Sequence, residues 1–402
     1  MRLGKFFKNH LASPKTFIFL TISIEAIAGG LLLPVLPYLV EQFRSDALTI
    51  GLLTSSFAAA QFIATPVLGA VSDRIGRRPI LLICTAGTSL AFYIFGFANA
   101  LWLLFLSRIF NGLTGGVIST AQAYLADVSQ SEQERTKNFG LIGAAAGLGF
   151  ILGPALGGAL APINIKLPVF VAGTAALINT IIGYYQLTES LTHKIEKPIR
   201  ISNLNPLTQL AELLRRNQVR NLLLGFFIYN FAFSGFTSIF VVFIRDRFDW
   251  EPAQAGSLLL VIGIVSIVVQ GTLIGKIVPL FGEMTVSFTG LFLVSVALVL
   301  IALAPIGILL YGTQAIFALG VGLASPSLRG LLASSVAEQE QGKVSGASQS
   351  LVSLGQIVAP SIAGFSYDQL GMEVPFWGAA LLVLLAIVTI WPNRGAMKSA
   401  SH

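Results

Sequence analysis

The sequence has few charged residues for its length, and this scarcity excludes a soluble protein. Only 11% of its 402 residues are Asp, Glu, Lys or Arg, whereas 54% are hydrophobic. A soluble domain has about 25% charged residues, so this chain cannot cover a globular surface with polar groups. Uncharged runs of about twenty residues recur instead, which is the length that a helix needs to cross a bilayer. We therefore predict a membrane protein with many spans.

Cysteine and histidine are also scarce, which excludes several kinds of site. The single cysteine, Cys84, rules out a disulfide framework, and His10, His193 and His402 lie outside the apolar runs without metal-ligand spacing. A Walker motif for direct use of ATP is missing. We expect no metal, no cofactor other than a proton gradient, and no enzymatic activity. The net charge of +7 is interpreted as a record of membrane topology, not of nucleic-acid binding.

Twelve apolar segments can be placed along the chain, six on each side of a polar stretch. They lie near residues 16–40, 48–70, 79–98, 101–125, 138–160, 167–187, 219–244, 254–275, 284–304, 306–332, 344–366 and 374–392. We predict an all-α membrane protein of twelve transmembrane helices in two six-helix bundles, 1–187 and 219–402. A cytoplasmic linker at 188–218 joins them. Within it, residues 205–217 are a candidate amphipathic surface helix, with a plain tether as the alternative.

The distribution of lysine and arginine predicts the orientation of these segments. If Met1 is cytoplasmic, the outer loops hold only Arg44, Lys166, Arg245 and Arg247, and most other cations fall in cytoplasmic segments. Cytoplasmic loops of membrane proteins carry an excess of lysine and arginine. Both termini are therefore predicted to be cytoplasmic.

The two halves of the chain repeat. Residues 131–158 align without gaps with 337–364, an offset of 206 residues (337 − 131), and Glu134 and Pro154 meet identical residues. The same offset carries Gly76 onto Gly282. Six helices repeated in parallel predict two bundles related by a pseudo-twofold axis along the membrane normal, with a substrate path between them.

Charges are concentrated in the turn between segments 2 and 3. We predict that Arg77 bridges Asp73 to Asp127, which ends segment 4, and that the start of segment 11 lies opposite Asp73, where a helix N-terminus stabilises negative charge. The predicted cytoplasmic gate consists of Gly69, Asp73, Gly76, Arg77 and Asp127. The alternative is that the arginines only enforce membrane topology.

Three stretches of the first half resemble known signatures. Residues 69–80 resemble the helix 2–3 signature of the major facilitator superfamily, and 108–116 resemble its helix 4 signature. Residues 149–158 are similar to the helix 5 signature of its drug/proton antiporter branch. With "LLLPVLPYL" in segment 1, the chain looks most like bacterial tetracycline and multidrug efflux transporters. The resemblance implies rocker-switch alternating access, with export coupled to proton entry.

Small residues in segment 5 share one helix face. Gly149, Gly153 and Gly157 recur at four-residue spacing, which lets another helix approach closely, and Pro154 permits bending. With Gly158, these residues are predicted to form a surface on which the bundles rock. Ordinary tight packing is the alternative.

Two ionisable residues lie deep in apolar segments, where charge is costly and usually functional. Glu25 is the only acid in the core of a segment, and we predict that it exchanges a proton for a cationic substrate. The alternative is a structural pairing with Arg108 or a polar neighbour. The resemblance associates Arg108 with proton coupling, and an interhelical hydrogen-bond donor is its alternative role. Arg329 either snorkels to the interface or lines a cavity that attracts anions.

Polar side chains within the apolar segments are candidates for the substrate cavity. They are Gln61, Asn111, Gln122, Tyr229, Asn230, Gln270, Gln314, Gln349, Gln356 and Arg329. Each amide is as well explained by hydrogen bonding between helices.

The combined prediction is a monomeric, proton-coupled antiporter of a bacterial inner membrane that exports amphipathic, cationic small molecules or drugs. Where tetracycline pumps carry further acids and a histidine, this sequence has Ala91, Val294 and Ser266, so tetracycline itself is not the expected substrate. The alternative is export of an endogenous metabolite such as a siderophore, a sugar or a lipid precursor. A membrane enzyme or a receptor would not need the repeat or the segment 5 motif.

Overall fold

The computed structural model describes residues 14–191, 212–337 and 340–393, and the regular structure within these ranges is helical. Residues 192–211 of the linker lie outside the described residues. These include part of the predicted amphipathic helix at 205–217.

The described ranges contain fourteen α-helices. They are α1 (Pro14–Leu32), α2 (Leu36–Glu41), α3 (Ala47–Ile75), α4 (Arg77–Gly96), α5 (Leu101–Leu113), α6 (Val117–Asp127), α7 (Glu132–Leu160), α8 (Leu167–Gln186), α9 (Asn217–Phe248), α10 (Pro252–Val268), α11 (Ile274–Leu303), α12 (Leu309–Ser334), α13 (Gln341–Leu370) and α14 (Val374–Ile390). A π-helical turn, Val269–Leu273, joins α10 to α11.

Every predicted apolar segment coincides with helix, although several segments are not continuous. Segment 1 is divided between α1 and α2 where Pro34, which lacks an N–H, cannot extend the ladder of hydrogen bonds. Segment 4 is divided between α5 and α6 at residues 114–116. Helix α11 begins within segment 8 and continues through segment 9, with a break at Gly282 (φ 77°). Nine helical stretches of the described residues are long and apolar enough to cross a membrane when 101–127 and 252–303 each count as one.

The described residues pack into two compact units. Unit 1 consists of the described residues within 14–44, 56–191 and 252–257. Unit 2 consists of the described residues within 45–55, 212–251 and 258–393. Each unit is built from helices of mixed length around its own apolar interior.

In unit 1, α7 lies against α1 with almost no space between the backbones. A Cβ placed on Gly153 would lie 2.6 Å from the Cα of Gly30, and one on Gly149 would collide with Ala26. One turn further, Gly157 faces the carbonyl of Leu31. The segment 5 glycines thus make a tight contact inside unit 1. This is the packing role weighed above, and the rocking surface stays a prediction.

In unit 2, the corresponding helix pair, α9 and α13, packs less closely. A Cβ on Gly235 of α9 would lie 3.4 Å from the Cβ of Ala363, and one on Gly355 would lie 3.5 Å from the Cα of Phe231. These are ordinary van der Waals distances. The repeat therefore preserves the pairing of helices but not its tightness.

A matching ion pair recurs at the polar end of each of these helix pairs. Glu134 in the first turn of α7 binds Lys15, and Glu340, which precedes α13, binds Arg216 at 2.7 and 2.9 Å. The hydrogen bond from the cation lowers the pKa of each glutamate. Both pairs therefore persist at neutral pH and are lost as the pH falls through the lowered pKa.

The single cysteine lies in the apolar core of unit 1. Cys84 is fully buried on α4, in a cluster that includes Ile18, Leu81 and Tyr124. Gly116, at the start of α6, packs directly against its sulfur.

The α1–α7 contact predicts a sharp difference between two glycines of one helix. Gly153→Ala should destabilise the protein by about 1–3 kcal/mol, because the added methyl group meets backbone that cannot move aside. Gly147→Ala is the matched control, since nothing lies within 4 Å of its position. Thermal unfolding in detergent measures both variants. Equal transition temperatures for the two would contradict the tight contact.

Candidate functional site

Glu25 lies on α1 with a hydroxyl group as its hydrogen-bond partner. Thr88 of α4 donates to Oε1 of Glu25 at 3.1 Å, and Thr88 itself is fully buried. Glu25 forms no ion pair within the described residues, so the structural pairing with Arg108 that was weighed above is not made. The polar neighbour is the partner instead.

Arg108 of α5 rests on an aromatic ring. Its guanidinium carbon lies 4.4 Å from the centroid of Phe57 on α3, and its Nε is buried without a hydrogen-bond acceptor in the described part of the chain. One turn further along α5, a Cβ on Gly112 would lie 2.5 Å from the Phe57 carbonyl oxygen. The glycine thus lets α5 approach α3 closely enough to place Arg108 over the ring.

Gln61 joins α3 to the break between α5 and α6. Its Nε2 donates to the carbonyl of Gly115 at 3.3 Å. Residues 114–116 interrupt the helix and free carbonyl groups that the amide can satisfy. Of the two roles considered for Gln61, the structure shows the bond between helices.

The other cavity candidates of unit 1 differ in burial. Asn111, on the buried side of α5, is 8% exposed. Gln122 of α6 is exposed.

One turn of α9 in unit 2 carries Tyr229 and Asn230, and Arg329 of α12 lies beside the same turn. Tyr229 is buried, with its ring 6.3 Å from that of Phe233. Asn230 donates its amide to the carbonyl of Phe226, within its own helix, at 2.7 Å. The exposed Arg329 has its guanidinium carbon 5.9 Å from the Phe226 ring centroid. Asn230 is thus satisfied locally, whereas Arg329 is held by an aromatic face.

Gln314 is the most deeply buried of the candidate amides. It is 0% exposed on α12, and neither its oxygen nor its nitrogen has a hydrogen-bond partner among the described residues. Gln270 in the π-helical turn, and Gln349 and Gln356 on α13, are exposed.

Arg77 stands at the centre of a polar network at the end of α3, α4 and α6. Its Nη1 lies 2.5 Å from Oδ1 of Asp73, and its Nε lies 3.1 Å from Oδ2 of Asp127. Nη1 also donates to the Ser72 hydroxyl at 2.6 Å. The structure thus places Asp73 and Asp127 on one guanidinium, as the sequence predicts; the role of the network as a gate stays a prediction.

Glu189, which the sequence analysis missed, completes this network. Its carboxylate accepts the backbone N–H groups of Arg77 at 2.8 Å and Arg78 at 3.2 Å. These are the first N–H groups of α4, whose preceding residue, Gly76, offers no side-chain cap. A helix N-terminus without its own cap needs an acceptor from elsewhere, and an acid just after segment 6 was the available signal.

The predicted glycines serve different purposes. Gly76 has φ 121°, which disfavours any side chain, and a Cβ there would collide with the Glu189 carboxylate. Nothing lies within 4 Å of a Cβ on Gly69. Gly158 packs against Gly256, within unit 1.

Unit 1 therefore holds two kinds of polar site. Glu25 and Arg108, at membrane depth, have no partner of opposite charge in the described residues. Glu25 can therefore exchange a proton or bind a cation, and Arg108 can bind an anion. The Arg77 network is internally paired and suited to holding helices together. In the described residues, no group of three His, Cys, Asp or Glu side chains could hold a metal ion.

Comparison with known sequences identifies relatives across nearly the whole chain. The sequence pattern of the Major Facilitator Superfamily matches residues 18–355 and also 271–400. The class C tetracycline resistance protein of Escherichia coli is 33% identical over 351 residues, 86% of this chain and 88% of that protein. Multidrug resistance protein 2 of Bacillus subtilis (strain 168) is 30% identical over 400 residues, 96% of this chain and 98% of its own.

Solved structures share the fold. The human organic anion transporter MFSD10 (TETRAN) has a TM-score of 0.70 at 25% identity, over 94% of this chain and 98% of that one. A point mutant of the nucleoside transporter NupG has a TM-score of 0.78 at 14% identity, over 95% of this chain and 100% of that one. At the latter identity, the likeness concerns the fold alone.

The geometry of the network predicts unequal roles for two neighbouring arginines. Arg77→Ala should destabilise the protein by about 2 kcal/mol, because it leaves Asp73 and Asp127 without their cation; the effect is less than for a fully buried pair because Asp73 is partly exposed. Arg74→Ala is the control, since this arginine is exposed. Thermal unfolding of both variants tests this, and an unchanged midpoint for Arg77→Ala would contradict it.

Proposed function

Because the chain belongs to the Major Facilitator Superfamily, we propose that it is a proton-coupled antiporter that exports amphipathic, cationic small molecules by alternating access. The observation that carries this proposal is Glu25. It is a carboxyl group in a membrane helix, hydrogen-bonded to Thr88 and without a cationic partner in the described residues.

One carboxyl group can couple two fluxes because its two ligands compete. A proton neutralises Glu25, and a cationic substrate binds the ionised form more tightly than the neutral one. Release of one therefore accompanies uptake of the other, and alternating access places these events on opposite sides of the membrane. The Thr88 hydroxyl orients the carboxylate.

The relatives support drugs as the substrate class. Those reported above are named for resistance to tetracycline or to several drugs. Ala91, Val294 and Ser266 carry no charge, so we favour an amphipathic cation over tetracycline. The export of an endogenous metabolite has no comparable support among these relatives.

Membrane placement follows from the same family and from charge. We place the chain as a monomer in a bacterial inner membrane, with both termini in the cytoplasm. The excess of lysine and arginine in alternate loops supports this orientation, and the named relatives are bacterial.

Proteoliposomes with an imposed pH gradient test the coupling. A panel of cationic and neutral fluorescent drugs is loaded, and flux is compared between wild type and Glu25→Gln. The gradient should drive flux of a cationic member in wild type. The amide cannot take up or release a proton, so Glu25→Gln should lose the gradient-driven flux by about tenfold or more while still binding drug.

Thr88→Val is the matched control, because it removes the hydrogen bond but keeps the carboxyl group. It should retain gradient-driven flux, at a lower rate than wild type because the carboxylate loses the hydroxyl group that orients it. Equal flux from wild type and Glu25→Gln would make Glu25 structural, and a panel in which nothing moves would overturn the drug assignment.

A further inference from the structure

Unit 2 contains a cavity that the sequence analysis did not anticipate. It has a volume of about 310 Å³ and lies between the start of α11 and the middle of α12. Its apolar walls include Ile274, Val278, Pro279 and Pro326. None of the candidate residues named above lines it.

Two polar residues, Glu283 and Ser327, are among those that line this apolar space. Glu283 lies just after the break at Gly282, and its carboxylate sits against Gly330, where a Cβ would collide with it. Ser327 is 2% exposed, and its hydroxyl has no hydrogen-bond partner in the described part of the chain. Glu283 likewise forms no ion pair there. An unpaired carboxylate and an unpaired buried hydroxyl thus share one cavity.

The backbone adds a third acceptor. Pro279 has no N–H, so the carbonyl of Gly275, four residues earlier and on the cavity wall, lacks its helical donor. The π-helical turn Val269–Leu273 leads directly into this stretch, and such turns are frequent at functional sites.

We propose that this cavity binds a primary ammonium group carried on an apolar body. A primary ammonium ion has three N–H donors, which match the carboxylate, the hydroxyl and the carbonyl. The carboxylate supplies the compensating charge, and the apolar walls cover the attached hydrocarbon. An amphipathic amine from solution and an aminophospholipid headgroup share this chemistry. The site is separate from Glu25 and does not depend on the proposed transport.

A fluorescence titration with monodansylcadaverine, an apolar primary amine, tests the site. The full chain is placed in nanodiscs of phosphatidylcholine and carries Glu25→Gln, so that the carboxyl group of the proposed transport site cannot contribute. In this background, Glu283→Gln should weaken binding by about tenfold or more, because a charge-assisted hydrogen bond is lost. Ser327→Ala should weaken it by about threefold.

Controls separate this cavity from general attraction of amines. Glu373→Gln removes another glutamate of unit 2, one that binds Arg247, and should leave the affinity unchanged. The trimethylammonium analogue of the probe has no N–H donor and should bind about tenfold more weakly. Should Glu283→Gln fail to fold, Ser327→Ala and Gly330→Ala, which displaces the carboxylate, decide the matter.

Equal affinity in the parent and in the cavity variants would overturn the proposal, as would equal affinity for the trimethylammonium analogue. Phosphatidylethanolamine in the nanodiscs then identifies the source of the ligand. Competition with the probe supports the site with a lipid headgroup as its occupant. No competition supports it with an aqueous amine.

Discussion

A charge inside the bilayer has no water to stabilise it, and this constraint governs where the chain places its ionisable groups. Paired charges collect at helix ends, as Arg77 does with Asp73 and Asp127. Glu25 and Arg108 are kept at depth, where Glu25 accepts a hydrogen bond from a hydroxyl group and Arg108 rests on an aromatic ring. Neither has a partner of opposite charge in the described part of the chain. Burying an unpaired ionisable group in the bilayer costs free energy, so Glu25 and Arg108 are the groups most expected to take part in transport.

Close approach of helix backbones is the second organising feature, and it positions the helices that carry the buried charges. Gly112 brings α5 against α3, which sets Arg108 on the Phe57 ring. Gly153 and Gly30 allow α7 to lie on α1, the helix that carries Glu25. In a membrane there is little hydrophobic force between helices, so small residues that permit dense packing take its place.

The sequence predicts the fold well for two reasons. A helix that crosses the bilayer needs an apolar run of fixed length, and the repeat between the two halves remains visible in the sequence. The positive φ of both Gly76 and Gly282 shows that the repeat is structural. The interruption of segment 4 at residues 114–116 was not predicted, since an apolar run reads the same whether or not its helix is broken. Nor was Thr88 as the partner of Glu25, because a partner sixty-three residues away along the chain leaves no periodic signal.

The network around Arg77 also contains both contacts that the sequence predicts and contacts that it does not. Its contacts to Asp73 and Asp127 follow from charge and from the placement of the turns, whereas Glu189 enters through the uncapped start of α4, a tertiary requirement. The cavity beside Glu283 depends on a bend at Gly282 and on the absence of a side chain at Gly330. Neither feature is visible in hydropathy.

The burial of Cys84 has a practical consequence for spectroscopy. The only thiol of the chain is sealed beneath Gly116 and shielded from aqueous reagents. Probes attached to newly introduced cysteines would therefore report with little background, without first removing the native one. Spin-label or fluorophore pairs can thus follow the motions of this protein with its native core intact.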